Sequence, residues 1–228
     1  MSEVAPTNKR PYGVALFIAA LLGGFGLLAG EVNEGATLAF DKSVLLMLRT
    51  PGNEADPIGP PWFEEAARDV TSLGSFTVLT LLVVAVAVCL LLLKRRNVAL
   101  FIVFAVVGGT ILSSTLKNIF QRERPELTGV ARVFTSSFPS GHATISAVVY
   151  LTLGVCLAET TSDFRLKAFY VGYAAFLTLL VGLSRLYLGV HYPTDVVAGW
   201  AIGTAWALLC WVVVSSRGIF KTPISVNS

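Results

Sequence analysis

Between two long apolar runs, the stretch from Ser184 to Asp195 holds an arginine, a histidine and an aspartate. Ionisable groups at such a boundary are costly unless they have partners or a task. His191 and Asp195 are four residues apart, a spacing that on a helix puts them on one face within hydrogen-bonding reach. Pro193 between them suits the first turn of a helix, where its missing N–H costs nothing. An imidazole held in one tautomer by a carboxylate is an oriented base or nucleophile. Arg185 adds a planar fork that matches an oxyanion such as phosphate. Two other stretches share this character. One runs from Lys117 to Pro125 and contains Arg122 and Arg124; the other is Pro139-Ser140-Gly141-His142. A Pro-Ser-Gly helix start leaves N–H groups free for an anion, and Gly141 lets backbone approach a ligand closely.

Each piece also has an ordinary explanation. Lys117 can snorkel to an interface, Arg122 and Arg124 can belong to a solvated loop, and Ser140 can be a helix N-cap. A neutral histidine in a first turn, as at His142, is equally unremarkable. What these explanations do not predict is that the three stretches meet, and that depends on the layout of the chain.

Of 228 residues, 54% are hydrophobic and only 14% charged, too apolar for an ordinary soluble domain. The runs fit an all-α polytopic membrane protein, one domain over residues 1–228 with spans near 14–30, 76–93, 98–116, 139–158, 168–188 and 196–214. The first run is longer than a signal-peptide core, so an uncleaved span is expected. Residues 31–75 form a polar outer segment. Within it, Ala39 to Leu48 is apolar but too short to cross, and is expected at the interface or packed on the bundle. Trp62 to Val70 has the spacing of a short interfacial helix, read as purely structural. The net charge of +3 is spread along the chain, which argues against a nucleic-acid partner. Cys89, Cys156 and Cys210 lie inside apolar runs, and two histidines are too few for a multi-histidine metal site. No cofactor and no obligate protein partner is expected.

Six spans put both termini on one side. Lysines and arginines divide nine to that side and eight to the other, so the totals decide nothing. The short turn Lys94-Arg95-Arg96 does, because orientation follows cations close to span ends. That side is expected to be cytoplasmic. Residues 117–142 and 184–195 then share the outer face of the membrane. There Lys117, Arg124 and Arg185, helix-end amides and two histidines would surround one pocket suited to a phosphoryl group.

Lys117-x6-Arg124-Pro125, Pro139-Ser140-Gly141-His142 and Ser184-Arg185-x5-His191-x3-Asp195, in this order, resemble in full the three-part signature of the type 2 phosphatidic-acid phosphatase family. This is the lipid phosphate phosphatase and vanadium haloperoxidase superfamily. Asp69 to Gly74 also resembles the stretch before span two in bacterial members. The resemblance implies His191 as the nucleophile that forms a phosphohistidine, with Asp195 holding its ring. It implies His142 as the acid for the leaving oxygen, and later as a base for water. Lys117, Arg124, Ser140, Gly141 and Arg185 would bind the phosphoryl oxygens, with no metal. The expected substrate is a membrane lipid phosphate: phosphatidic acid, phosphatidylglycerophosphate or a polyprenyl pyrophosphate of the undecaprenyl type.

A lipid phosphotransferase would use the same site with an acceptor other than water. A haloperoxidase is disfavoured, because the members holding vanadate are soluble. A proton-coupled transporter usually keeps its charges near the midplane, whereas these cluster at one face.

The orientation is checked by Thr128→Cys in a background without native cysteines. It should react with a membrane-impermeant thiol reagent in intact cells; labelling only after lysis would reverse the assignment.

Overall fold

The computed structural model describes residues 10–125, 127 and 135–220. Lys9, Thr128, Arg132 and Lys221 lie outside the described residues. The chain runs α1 (Arg10–Asn33), α2 (Leu38–Met47), β1 (Arg49–Thr50), β2 (Asn53–Pro57), α3 (Pro61–Ser72) and α4 (Phe76–Leu92). It continues as α5 (Arg96–Phe120), α6 (Gly141–Ala158), α7 (Phe164–Tyr187) and α8 (Pro193–Ser215). Five helices are long and apolar enough to cross a membrane, and α3 with α4 makes a sixth candidate, bent by 45°. The fold is an all-α, multi-span bundle, as its composition requires.

α6 is the central helix. Over its membrane-length window 56% is buried, against 11% for α1 at the periphery. α6 packs on α5, α7 and α8. Lipid tails are as apolar as leucine, so helices in a membrane gain by close backbone approach at small residues. Gly199 and Gly203 of α8 supply that approach. A Cβ on Gly203 would stand 2.5 Å from the Thr144 carbonyl oxygen and 2.9 Å from Ala147 Cβ. Trp200 covers Gly182 and donates to the Thr178 carbonyl at 3.0 Å, locking α8 to α7. Trp206 covers Gly108 and Gly109 and donates to the Ala105 carbonyl at 2.8 Å, locking α8 to α5. α1 packs on α8, with Phe25 stacked 5.9 Å from Phe138.

The outer segment departs from its expected form in part. α2 takes the second of its two expected places, packed on the bundle against α8, and its Asp41 and Leu45 are wholly buried. Residues 49–57 form a small antiparallel hairpin that the all-helical reading did not include, turning at Pro51 and Gly52, where φ is +83°. α3 packs on α7, with the Phe63 ring 4.8 Å from Tyr187. Several spans are also longer than hydropathy suggests, since helices continue past their apolar stretch wherever the cap lies further on. α5 runs through Lys117 to Phe120, and α7 begins at Phe164 behind the Asp163 cap.

Residues 117–124, 136–142 and 185–195 lie together at one end of the bundle, tied by the hydrogen bonds described below. At the other end, Lys94 to Val98 share a small cavity with Ile219, and Trp211 donates to Glu159 at 3.2 Å.

Gly203→Val should destabilise the fold by roughly 1–3 kcal/mol, because the added atoms meet the α6 backbone. Gly172→Ala, where a Cβ has nothing within 4 Å, should leave the thermal midpoint in detergent unchanged or slightly raised. Equal losses would mean that α6 and α8 are not in close contact.

Candidate active site

α5 ends where Gln121 turns left-handed, at φ +45°, which leaves Lys117 in its last turn. The Lys117 ammonium donates to the Ser136 carbonyl at 2.6 Å. Its stem lies across the start of α6, where a Cβ on Gly141 would be 3.3 Å from Lys117 Cε. Gly141 is therefore the residue that lets the lysine lie over the first turn of α6. Ser140 is the N-cap of that helix, its Oγ accepting from Ala143 N–H at 3.5 Å. Its own N–H donates to the Asp195 backbone carbonyl at 2.9 Å, so the starts of α6 and α8 are joined.

His191 and Asp195 meet differently from the expected single helical face. Tyr192 is the N-cap of α8 and Pro193 its first residue, so His191 precedes the helix and Asp195 is the third residue within it. The Tyr192 N–H donates to Asp195 Oδ2 at 2.9 Å, closing a capping turn. That turn brings His191 Nδ1 to 3.5 Å from the same oxygen.

Ser137 lies between them. Its Oγ is 3.3 Å from His191 Nδ1, and its hydroxyl donates to Asp195 Oδ2. On the other edge of the ring, Arg124 Nη1 is 3.3 Å from His191 Nε2 and donates to the Val190 carbonyl at 3.1 Å. A guanidinium has donors only, so Nε2 must be the unprotonated nitrogen, and Nδ1 carries the proton toward Ser137 and Asp195. The ring is 1% exposed. Burial pushes its pKa down to about 3; Asp195 opposes this, while Arg124 and Arg185 reinforce it. At neutral pH His191 is thus an uncharged imidazole with its free lone pair on the Arg124 side.

The remaining cations approach through other elements. Arg185 Nη1 donates to Thr71 Oγ1 at 3.1 Å, while its Nε is buried with no protein partner. His142 packs over the α3–α4 turn, where a Cβ on Gly74 would be 3.4 Å from His142 Cδ2. α3 therefore does more than pack, since its last turn positions Arg185. All eight residues singled out in the sequence lie at this end. Arg124, His191, Asp195 and Ser140 form one hydrogen-bonded chain, and Lys117 lies on Gly141.

Reading the sequence missed a second group. Arg122, taken there as a solvated loop residue, donates from Nη1 to Asp195 Oδ1 and from Nη2 to Asp41 Oδ2, both at 2.7 Å. Burial opposes its charge, but Asp195 and Asp41 together hold its pKa above the ordinary arginine value. Asp41 also accepts from the Thr194 N–H at 3.1 Å and from its hydroxyl at 2.7 Å. The Tyr192 ring stacks 4.3 Å from the Arg122 guanidinium. Arg49, only 4% exposed, donates from Nη2 to the Tyr187 carbonyl at 2.9 Å and packs on Gly189, whose φ is +68°. A signal existed for Asp41, an acid inside the apolar stretch Ala39 to Leu48. Ser137 borders the Pro-Ser-Gly-His motif, but no spacing rule marks it.

Membrane-length helices that bring a lysine, arginines and a carboxylate-braced histidine to one end define an integral-membrane protein with a cation-rich polar cluster at that end. The chain belongs to the PAP2 superfamily, whose family model matches residues 79–219. Phosphatidylglycerophosphatase B of Bacillus subtilis is 28% identical over 181 residues, 78% of this chain and 85% of that protein. An undecaprenyl-diphosphatase of Sulfolobus acidocaldarius is 30% identical over 145 residues, 60% of this chain and 66% of that protein. The crystal structure of a transmembrane PAP2 type phosphatidylglycerolphosphate phosphatase from Bacillus subtilis matches with a TM-score of 0.79. That match has 26% identity and covers 87% of this chain and 96% of the other. The relatives are lipid phosphatases, in agreement with the resemblance carried by the three motifs.

Among the described residues, no three His, Cys, Asp or Glu side chains gather as metal ligands. The metal-free site implied by the three motifs is tested by chelation: phosphate release should persist in excess chelator, and vanadate should inhibit. Loss of activity on chelation, restored by a divalent cation, would overturn the metal-free reading.

Proposed function

We propose that the protein is an integral-membrane lipid phosphatase acting through a phosphohistidine at the outer face of a bacterial-type cytoplasmic membrane. The substrate is the phosphate monoester or pyrophosphate of a membrane lipid, of the phosphatidic acid, phosphatidylglycerophosphate or undecaprenyl pyrophosphate type. The whole chain works as one membrane-embedded domain with both termini cytoplasmic. The activities of its relatives support the substrate class, and the short basic turn at 94–96 supports the orientation.

The observation that carries the mechanism is the environment of His191. Its lone pair on Nε2 faces an arginine, and its proton on Nδ1 faces Ser137 and Asp195. Arg124 occupies the place that a phosphoryl group takes when substrate binds. Its guanidinium then turns to the phosphoryl oxygens, joined by Lys117, Arg185 and the amides at the start of α6. Nε2 attacks phosphorus, a P–N bond forms and the bond to the lipid oxygen breaks. That oxygen takes a proton from His142. The ring now carries a positive charge, which the Asp195 carboxylate balances through the Nδ1–H. Water then attacks the phosphohistidine and gives a proton to His142; the P–N bond breaks, releasing phosphate and neutral His191. Fixed cations stabilise the transferring group as metal ions do in kinases.

The test compares leaving groups in the first transfer step. On a lipid phosphate monoester, His142→Ala should lose roughly 10²–10⁴-fold, the usual worth of general acid catalysis. In the initial burst on an aryl phosphate, whose leaving oxygen barely needs a proton, it should lose far less. It should also accumulate an acid-labile phosphoenzyme, which His191→Ala should not form. Equal losses for both variants on both substrates would mean that the two histidines are wrongly assigned. Phosphate release from a panel of purified lipid phosphates and pyrophosphates then identifies the head group.

A further inference from the structure

Behind His191 the motif residue Asp195 is joined to two charges that are not signature residues of any of the three motifs, Arg122 and Asp41. Asp195 and Asp41 are both wholly buried, and one guanidinium, Arg122, bridges them with a bond of 2.7 Å to each. Thr194 fastens the far carboxylate through its N–H and its hydroxyl. Asp41 comes from α2, in the outer segment, whereas Asp195 belongs to α8 and Arg122 follows α5. We propose that Arg122 and Asp41 are positioning residues for phosphoryl transfer: together they orient the Asp195 carboxylate and set the net charge behind His191 at minus one.

The physical argument rests on the proposed phosphohistidine route, in which the ring becomes cationic. A carboxylate alone in a buried site is expensive, and Arg122 removes that cost. A simple Asp195–Arg122 pair would however be neutral and offer little to a forming cation. Asp41 restores one negative charge to the group without touching the ring. It also fills the second prong of the guanidinium fork, so that Arg122 is held by two carboxylates in one orientation. Oδ1 of Asp195 is occupied by Arg122, which directs Oδ2 to Ser137, the Tyr192 N–H and His191. Among the described residues, the other titratable groups facing His191 are Arg124, Arg185 and His142, all of them basic.

Charge balance predicts a pattern that a purely structural role does not. Asp41→Asn leaves a neutral pair behind His191. It should lower kcat by about 10- to 100-fold, the range for partners that act through another residue, with KM nearly unchanged. Arg122→Gln leaves two uncompensated buried carboxylates. These favour the protonated imidazole, so the acid limb of the kcat/KM profile should move up toward the ordinary histidine range, and activity should vanish at higher pH than in the native protein. The double variant Asp41→Asn/Arg122→Gln returns the net charge to minus one. It should bring the acid limb back and recover at least about tenfold in burst rate over Arg122→Gln alone, since neighbours in one charge network are non-additive.

The measurement is the burst of acid-labile phosphoenzyme from an aryl phosphate, with the full chain in detergent across pH, beside thermal unfolding of each variant. A double variant slower than either single change would refute the charge-balance role, as would native burst rates for Asp41→Asn. Failure of the native protein to form any phosphoenzyme would instead refute the phosphohistidine route on which the inference rests.

Discussion

A carboxylate with no solvent exposure, at the end of a bundle of apolar helices, can remain ionised only if its lone pairs are occupied by donors. Asp195 meets that requirement, and much of the outer architecture follows from how. Arg122 serves Oδ1; Ser137 and the Tyr192 N–H serve Oδ2; and the backbone carbonyl takes the Ser140 N–H. These donors come from the segment after α5, the approach to α6 and the start of α8. Satisfying one buried anion therefore draws three separate stretches of chain to a single point. Remove the anion and nothing in hydropathy alone would hold those loops in register.

The same constraint explains why an acidic residue sits in α2. Arg122 needs a second partner for the other prong of its fork, and Asp41 supplies it from an otherwise apolar helix laid against α8. A segment that looks like a connector between the first two spans becomes part of the support for the site. The hairpin has a similar place. Arg49 from β1 caps the end of α7 at the Tyr187 carbonyl and packs where Gly189 leaves room, directly before the His191 turn. A cation at a helix C-terminus is favourable by itself, and here it also stabilises the turn that delivers the imidazole.

On the side of the ring facing Arg124, the balance of charge reverses. Among the described residues Lys117, Arg124 and Arg185 make no ion pair, and Arg185 keeps a buried N–H without a hydrogen-bond partner. Mutual repulsion and burial make such a group unfavourable when empty, which is the condition under which a dianion binds with advantage. His191 lies on the boundary between the two regions, anionic toward Nδ1 and cationic toward Nε2. A neutral ring with a fixed tautomer is the result.

The membrane class and the gathering at one end of the eight candidate residues within the three motifs were legible in the sequence, for two reasons. Apolar length is a local property, and the motif residues are chemically conspicuous where they interrupt it. Even the meeting of residues 117–124 and 136–142 with 185–195 followed from counting spans, because each crossing reverses the chain. What only the tertiary structure decided is who touches whom. His191 proved to stand before a helix and not on it, since the cap at Tyr192 is set by a hydrogen bond and not by spacing. Ser137, Arg122 and Asp41 carry no motif, and Asp41 lies 154 residues before Asp195 in the chain. Their roles depend on a shared buried charge, and a charge pair formed across such a distance leaves no period or pattern in either local stretch.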